Sequence, residues 1–223
     1  MAVAETAHTY GDWEITHAPT AGEKGEREHV CTVCAYKQTE AIPATGGFVD
    51  VAEDSYYEDA VIWAAGEGIT NGTDATHFSP DAFCTRAQAV TFLWRAAGRP
   101  APKSTTTPFT DVPVGSYYYD AVLWASENGI TLGTSATTFS PDMACSRAHI
   151  VTFLWRVEHT PRSDSDNPFT DVDLTAYYAE AVLWAAAESI TKGTSDTTFS
   201  PDDGCTRAQI VTFIWRTKTG GKG

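Results

Sequence analysis

Phe48-Val49-Asp50-Val51 returns as Phe109-Thr110-Asp111-Val112 and again as Phe169-Thr170-Asp171-Val172, at offsets of 61 and then 60 residues. Working outward from that tetrapeptide, Trp63 returns as Trp124 and Trp184. Cys84-Thr85-Arg86-Ala87 returns as Cys145-Ser146-Arg147-Ala148 and Cys205-Thr206-Arg207-Ala208. The chain therefore carries three copies of one unit, over 48–98, 109–159 and 169–216, with residues 1–46 set apart. Units of this length bury their apolar faces on one another. A catalytic centre needs one asymmetric cluster, whereas three equivalent surfaces suit binding or scaffolding.

Each unit reads as four parts. The Phe-x-Asp-Val opening is expected to be short and extended, with the Phe as anchor. A helix follows, with Ser55 and Glu58 placed for a capping box and Tyr57, Ala60, Val61 and Ala64 at helical spacing. Gly68 and Gly129 suit left-handed C-terminal caps, a place that Ser189 takes in the third repeat. Two short extended pieces, Ile69 to Thr73 and Thr76 to Asp81, flank a tight turn. A second helix opens at Thr85-Arg86-Ala87-Gln88, a capping box that recurs at Thr206 to Gln209 and that Ser146 and His149 are expected to break. The linkers Gly98 to Pro108 and His159 to Pro168 read as solvated connections.

The bulk numbers narrow the function classes. An apolar fraction of 42%, with seven Trp, nine Tyr and ten Phe, is ample for a packed core. A net charge of −14 argues against a nucleic-acid partner and leaves any anion to be held by local pockets. No apolar run approaches eighteen residues, so no membrane insertion is expected. Met1 to Ala7 has neither a basic start nor an apolar stretch, so no secretory signal is visible. Residues 1–46 read as a small β module, with strand candidates Tyr10 to Thr16, Glu28 to Val33 and Tyr36 to Ile42. A turn-rich stretch runs from Pro19 to Gly25, and Pro43 to Gly47 forms a hinge.

Arg86, Arg147 and Arg207 sit in the first turn of a helix, the unfavourable end for a cation, at a cost of about 0.3–1 kcal/mol each when exposed. The same placement three times has a reason. A guanidinium beside free helix N–H groups makes a site for a carboxylate or phosphate oxygen. The alternative is an internal ion pair with Asp81, Asp142 and Asp202, or with the Asp of Phe-x-Asp-Val.

Taken together, Phe48-x-Asp50-Val51, Tyr56-Tyr57-x-x-Ala60-Val61-x-Trp63-Ala64, Gly68-Ile69-Thr70-x-Gly72-Thr73, Thr138-Phe139-Ser140-Pro141-Asp142 and Cys84-Thr85-Arg86-Ala87-Gln88 resemble the S-layer homology (SLH) domain, in the variant common in clostridial surface proteins. The resemblance covers all three repeats. It implies a mainly α fold, with the repeats in a pseudo-threefold assembly beside the small β module. It also implies a non-covalent cell-wall anchor that binds secondary cell wall polymer, often through a pyruvylated sugar, in grooves between repeats. Such a protein is not an enzyme, acts at the cell surface, and here would be a fragment of an exported protein, monomeric in isolation. In that family the Arg of the Thr-Arg-Ala-Glu motif lines the ligand groove, which carries over to Arg86, Arg147 and Arg207. Gln88, His149 and Gln209 stand where Glu is usual. The rival reading is a structural repeat scaffold whose partner is another protein.

Gly72, Gly133 and Gly193 would let backbone N–H groups approach a sugar, although a turn with positive φ explains them more simply. The residue before each differs: Asn71, Leu132 and Lys192. The grooves are therefore expected to be unequal, with Lys192 adding a cation. Tyr56, Tyr117 and Tyr177 can stack on a pyranose or close a helix end, while Trp63, Trp124 and Trp184 are expected in the core. Cys84, Cys145 and Cys205, near helix N-termini and Arg, suggest nucleophiles, but a small buried thiol is the expected reading. Cys31-Thr-Val-Cys34 offers two zinc ligands, which His8, His17 or His29 could help complete; a disulfide or two free thiols are equally open. That segment also resembles short Cys-x-x-Cys β modules ending in Ile-Pro-Ala-Thr-Gly, found beside repeats in surface proteins of gut Firmicutes. No other cofactor is expected.

Overall fold

The computed structural model describes residues 8–17, 19, 24–42 and 47–220. Its elements are β1 (Glu14–His17), β2 (Gly25–Val30) and β3 (Lys37–Ile42), then α1 (Glu58–Gly66), α2 (Arg86–Ala96), α3 (Tyr119–Glu127), α4 (Arg147–Val157), α5 (Ala179–Ala187) and α6 (Arg207–Thr219). The turn-rich Pro19 to Gly25 stretch and the Pro43 to Gly47 hinge lie largely outside the described residues, as does Met1 to Ala7. The three strands form one antiparallel sheet in the order β1-β2-β3, with Ile15 opposite Arg27 and Thr39 opposite Glu28. The first strand starts at Glu14 rather than Tyr10.

Each repeat opens on a turn, not the extended piece expected, because its Asp is used as a clamp. Asp50 accepts the Phe78 N–H at 2.8 Å on one carboxylate oxygen and the Ser79 N–H at 2.7 Å on the other. Asp111 does the same with Phe139 and Ser140, and Asp171 with Phe199 and Ser200. The clamp holds Ser79, Ser140 and Ser200 in the left-handed region, at φ 57°, 58° and 57°. Burial opposes the charge on Asp171, yet the N–H groups of Phe199 and Ser200 keep its carboxyl below the usual carboxylate range. Phe48, Phe109 and Phe169 are buried as anchors.

The first helices begin later than the sequence suggests. Ser55 caps nothing: α1 starts at Glu58 with Tyr57 as N-cap, and the Glu58 carboxylate accepts the Asp54 N–H at 2.7 Å instead. Ala60, Val61 and Ala64 are fully buried, and Trp124 and Trp184 lie in the core with Trp63 packed against it. Gly68, Gly129 and Ser189 all take the left-handed conformation after their helices, at φ 64°, 67° and 60°. The second helices all carry complete capping boxes. In α4 the Ser146–His149 box forms after all, with His149 Nδ1 accepting the Ser146 N–H at 3.2 Å, as a glutamine oxygen does in α2 and α6. The linkers are pinned as well as solvated, since Trp94 donates to the Pro100 carbonyl and Trp155 to that of Pro161.

A first helix does not pack on the second helix of its own repeat. Instead α3 packs on α2, α5 on α4 and α1 on α6, while α2, α4 and α6 meet one another. Main-chain bonds tie the same pairs. Cys145 N–H donates to the Cys84 carbonyl, Cys205 N–H to that of Cys145, and Cys84 N–H to that of Cys205, at 2.8, 2.8 and 3.0 Å. The first repeat thus grips the third just as the second grips the first, and no unit completes its core alone.

Candidate ligand-binding grooves

The arginines sit at the first helical position, as expected, but their side chains are not exposed. Arg86, Arg147 and Arg207 retain only 2%, 3% and 3% of their surface. Nor are the helix N–H groups beside them free. Arg86 N–H donates to the Met143 carbonyl at 2.9 Å, Ala87 N–H to Pro141 at 3.0 Å, and Gln88 N–H to the Thr85 hydroxyl. The same pattern repeats at Arg147 with Asp203 and at Arg207 with Ala82. Those orphan donors hold repeats together and are not an anion site.

The internal ion pair is also absent. Nε of Arg86 donates to the Phe139 carbonyl at 2.9 Å, Nε of Arg147 to Phe199 at 2.7 Å and Nε of Arg207 to Phe78 at 2.7 Å. Each guanidinium lies over two phenylalanine rings: that of Arg86 stands 4.9 Å from the Phe139 centroid and 5.4 Å from that of Phe153. The Asp of Phe-x-Asp-Val is occupied with its own clamp. Burial lowers the pKa of all three arginines, but a guanidinium starts too high to lose its proton. What remains is a cation solvated by one carbonyl and aromatic faces. In Arg86 the buried Nη2 has no hydrogen-bond partner, whereas Arg147 and Arg207 make long 3.5 Å contacts to Thr191 and Thr70 hydroxyls.

Arg86 and Arg147 border grooves built from all three repeats. A groove of about 420 Å³ joins Arg86 of the first repeat, Leu132 and Gly133 of the second with His149 and Arg156, and Tyr177 of the third. A second, of about 460 Å³, joins Arg147, then Lys192, Gly193, Gln209 and Arg216, then Tyr56. Neither lining contains an Asp or Glu. Of the corresponding set, Arg207 and Gly72 are connected through Thr70, whose hydroxyl accepts from both Arg207 Nη2 and the Gly72 N–H.

Residues singled out from sequence divide here by role. Gly72, Gly133 and Gly193 lie at φ 79°, 77° and 81°, and a Cβ on Gly193 would fall 2.4 Å from the Thr198 carbonyl oxygen. Their N–H groups donate to Thr70, Thr131 and Thr191. These glycines are required by the turn, and those N–H groups already serve the protein. Tyr56, Tyr117 and Tyr177 remain more than half exposed, each set edge-on against its neighbour Tyr57, Tyr118 or Tyr178. The phenol of Tyr56 sits against the cap residue Thr206, and that of Tyr117 against Thr85.

A second set of arginines escaped the sequence reading. Arg95, Arg156 and Arg216 donate from Nη1 to the carbonyls of Ile69, Ile130 and Ile190, and Arg156 and Arg216 line the two measured grooves. The signal was present as Trp94-Arg95, Trp155-Arg156 and Trp215-Arg216, at the helix end where a cation is unremarkable. His149, between Arg86 and Tyr177, is depressed to about 4 by burial first and the nearby guanidinium second, so it is neutral at ordinary pH.

The thiols of Cys84 and Cys205 are fully buried and pushed up to about 12 by desolvation, and that of Cys145 is raised well above the ordinary range. This rules against the nucleophile reading and leaves small core side chains. Cys31 is different: main-chain N–H groups of Val33 and Cys34 bring its thiol down to about 6. Among the described residues, no helix is long and apolar enough to cross a membrane.

The family model of the S-layer homology domain matches residues 47–90, 108–150 and 168–211. The chain is 28% identical over 166 residues to a surface-layer 125 kDa protein of Lysinibacillus sphaericus, covering 73% of this chain and 14% of that protein. It is 32% identical over 114 residues to an endoglucanase of Bacillus sp. (strain KSM-635), covering 51% and 12%, and 23% identical over 173 residues to an S-layer protein of Bacillus thuringiensis subsp. finitimus, covering 76% and 21%. The chain thus spans about a fifth or less of the length of these curated relatives. The match places it at the cell surface or cell wall, with a general role in surface anchoring. With three matched segments that together exceed half its length, the chain belongs to the S-layer homology domain family.

Proposed function

We propose that this chain is a non-catalytic anchor that holds a secondary cell wall polymer in the grooves between its three repeats, which form a pseudo-threefold assembly. One observation carries the reading. In a protein of net charge −14, the two measured grooves each hold two arginines and no acidic residue. A carboxylate-bearing sugar would supply a counter-charge to Arg86 and Arg156, or to Arg147 and Arg216. A pyruvylated amino-sugar, with one ketal carboxylate on a pyranose ring, fits that requirement. The carboxylate would meet the guanidinium pair, and the exposed face of Tyr177 or Tyr56 would carry the ring. The arginine over phenylalanine faces is held rigid before the ligand arrives, which limits the ordering cost of binding. Leu132 and Lys192 make the two grooves unequal. Similar sequence recurs within the S-layer proteins and, for about half of this chain, within a small part of the endoglucanase, as expected of a module that carries different cargo.

The test is sedimentation of the chain with purified cell walls, before and after the polymer is stripped, and titration with a pyruvylated amino-sugar against its unpyruvylated form. Binding should require the polymer and the carboxylate. Replacing one arginine in each groove, Arg86→Gln with Arg147→Gln, should weaken wall binding by about 10- to 100-fold, the range for a lost charge-assisted hydrogen bond. Equal affinity for the two sugar forms would favour a scaffold that contacts another protein.

A further inference from the structure

We propose that His8, Cys31 and Cys34 form a zinc site that staples the segment before β1 to the turn between β2 and β3. The proposal is independent of the wall-binding reading.

Three groups of observations meet at this point. The imidazole and both sulfurs have ligand atoms within 4.8 Å of one another, and His8 Nδ1 lies 3.3 Å from Cys34 Sγ. A tetrahedral zinc ion, with bonds of about 2.3 Å to sulfur and 2.0 Å to nitrogen, sets its ligand atoms roughly 3.5–3.8 Å apart. The set needs about 1 Å of adjustment at most, and it is the one such cluster among the described residues.

The backbone is shaped to aim those ligands. Cys31-Thr32-Val33-Cys34 is a tight turn closed by the Ala35 N–H on the Cys31 carbonyl at 3.0 Å and the Cys31 N–H on the Tyr36 carbonyl at 2.8 Å, with Ala35 at φ 60°. His8 comes from the other end of the module and is held there. Thr32 N–H and its hydroxyl both donate to the Thr9 carbonyl, at 2.8 and 3.1 Å, and the ring stacks on Tyr36 at 4.8 Å. His29, which sequence alone could not exclude, is committed elsewhere, stacked on Tyr10 and Trp13 with its Nε2 against Gln38.

The module also needs such a staple. All four residues of β1 and five of the six in β3 are exposed, and among the described residues of the module Cys31 and Ile42 are the buried hydrophobic side chains. A three-stranded sheet with that little core does not hold its strands by burial alone, and units of this size ordinarily use a metal or disulfide. Three protein ligands leave a fourth position for water or an outside donor.

The experiment uses the full chain, reduced and stripped with a chelator, then titrated with Zn²⁺ under native mass spectrometry and with Co²⁺ under absorption spectroscopy. One Zn²⁺ per chain and a thiolate-to-cobalt charge-transfer band are expected. His8→Ala, Cys31→Ser and Cys34→Ser should each weaken binding more than about 100-fold, beyond the cost of losing an outer-shell partner, while His29→Ala binds as the parent. Unchanged helical circular dichroism from the repeats shows that each variant is folded. Failure of the reduced chain to bind, full affinity in His8→Ala, or a metal-free Cys31–Cys34 disulfide in protein taken from the cell surface would each overturn the proposal.

Discussion

Arg207 Nε donates at 2.7 Å to the carbonyl oxygen of Phe78, a residue 129 positions earlier. Phe78 can accept there because Asp50 holds the N–H of the same residue from the other side at 2.8 Å. Clamp and cation are therefore two halves of one joint: the acid of a repeat fixes a turn, and the turn's carbonyl receives the guanidinium of a neighbour. This explains why an arginine tolerates the positive end of a helix three times. It is retained by geometry and aromatic faces, without a direct ion pair.

The turn glycines should be irreplaceable and one helical glycine improvable. Gly193→Ala puts a Cβ 2.4 Å from the Thr198 carbonyl oxygen at φ 81°. A loss of roughly 2–4 kcal/mol is expected, from left-handed strain plus the displaced turn. Gly66→Ala, at the last residue of α1 with nothing within 4 Å, should instead gain up to about 0.5 kcal/mol. Paired urea denaturation curves check both signs.

Acid should weaken the second repeat through His149. Its folded pKa, about 4, lies below the unfolded value of about 6.5, so the unfolded chain binds the extra proton between those limits. The contribution is complete above pH 6.5 and is lost as pH falls towards 4, on the order of 1–3 kcal/mol in all after allowing for partial exposure. His149→Gln, which restores the residue type of the other two boxes, should flatten that part of the stability–pH curve.

Thiol reactivity should split the five cysteines. With thiols near 12, Cys84 and Cys205 are about one part in ten thousand thiolate at pH 8 and are sealed from reagent. Alkylation of the chelator-treated native chain should label the exposed Cys34 quickly, the buried Cys31 more slowly, and the other three only in denaturant. Mass mapping of the modified peptides reads the result.

Arg156 offers a way to probe a groove without cutting the joint. Its guanidinium is half-buried and bonded to the Ile130 carbonyl at 3.0 Å, and it lines the Arg86 groove. Arg156→Ala should lower wall-polymer affinity about 3- to 10-fold while costing about 1–2 kcal/mol of stability. Calorimetric titration beside a thermal melt separates the two effects.

Much of the architecture was legible because it is periodic. Ala60, Val61 and Ala64 declared the buried stripe, and Thr85 with Gln88 declared a helix start. Legibility failed where the deciding partner came from another repeat. Nothing near Arg86 in sequence says that Met143 and Pro141 will consume the helix N–H groups, or that Phe139 and Phe153 will enclose the side chain. Ser55 had the letters of a cap but precedes the helix by too much. His149 was discounted because a ring nitrogen standing in for a carboxamide oxygen is a substitution of shape, not of residue class. The Trp-Arg pairs were passed over because a cation at a helix C-terminus needs no explanation until its groove is seen.

The circuit of main-chain bonds through Cys84, Cys145 and Cys205 has an evolutionary corollary. An open stack of repeats can be lengthened or trimmed by one copy, since each new copy simply moves the free edge. Here the last copy must meet the first, so deletion leaves two raw faces and a fourth copy has nowhere to insert. Divergence is then confined to changing letters within a fixed count, and the differing residues Asn71, Leu132 and Lys192 are where such specialisation has room to occur.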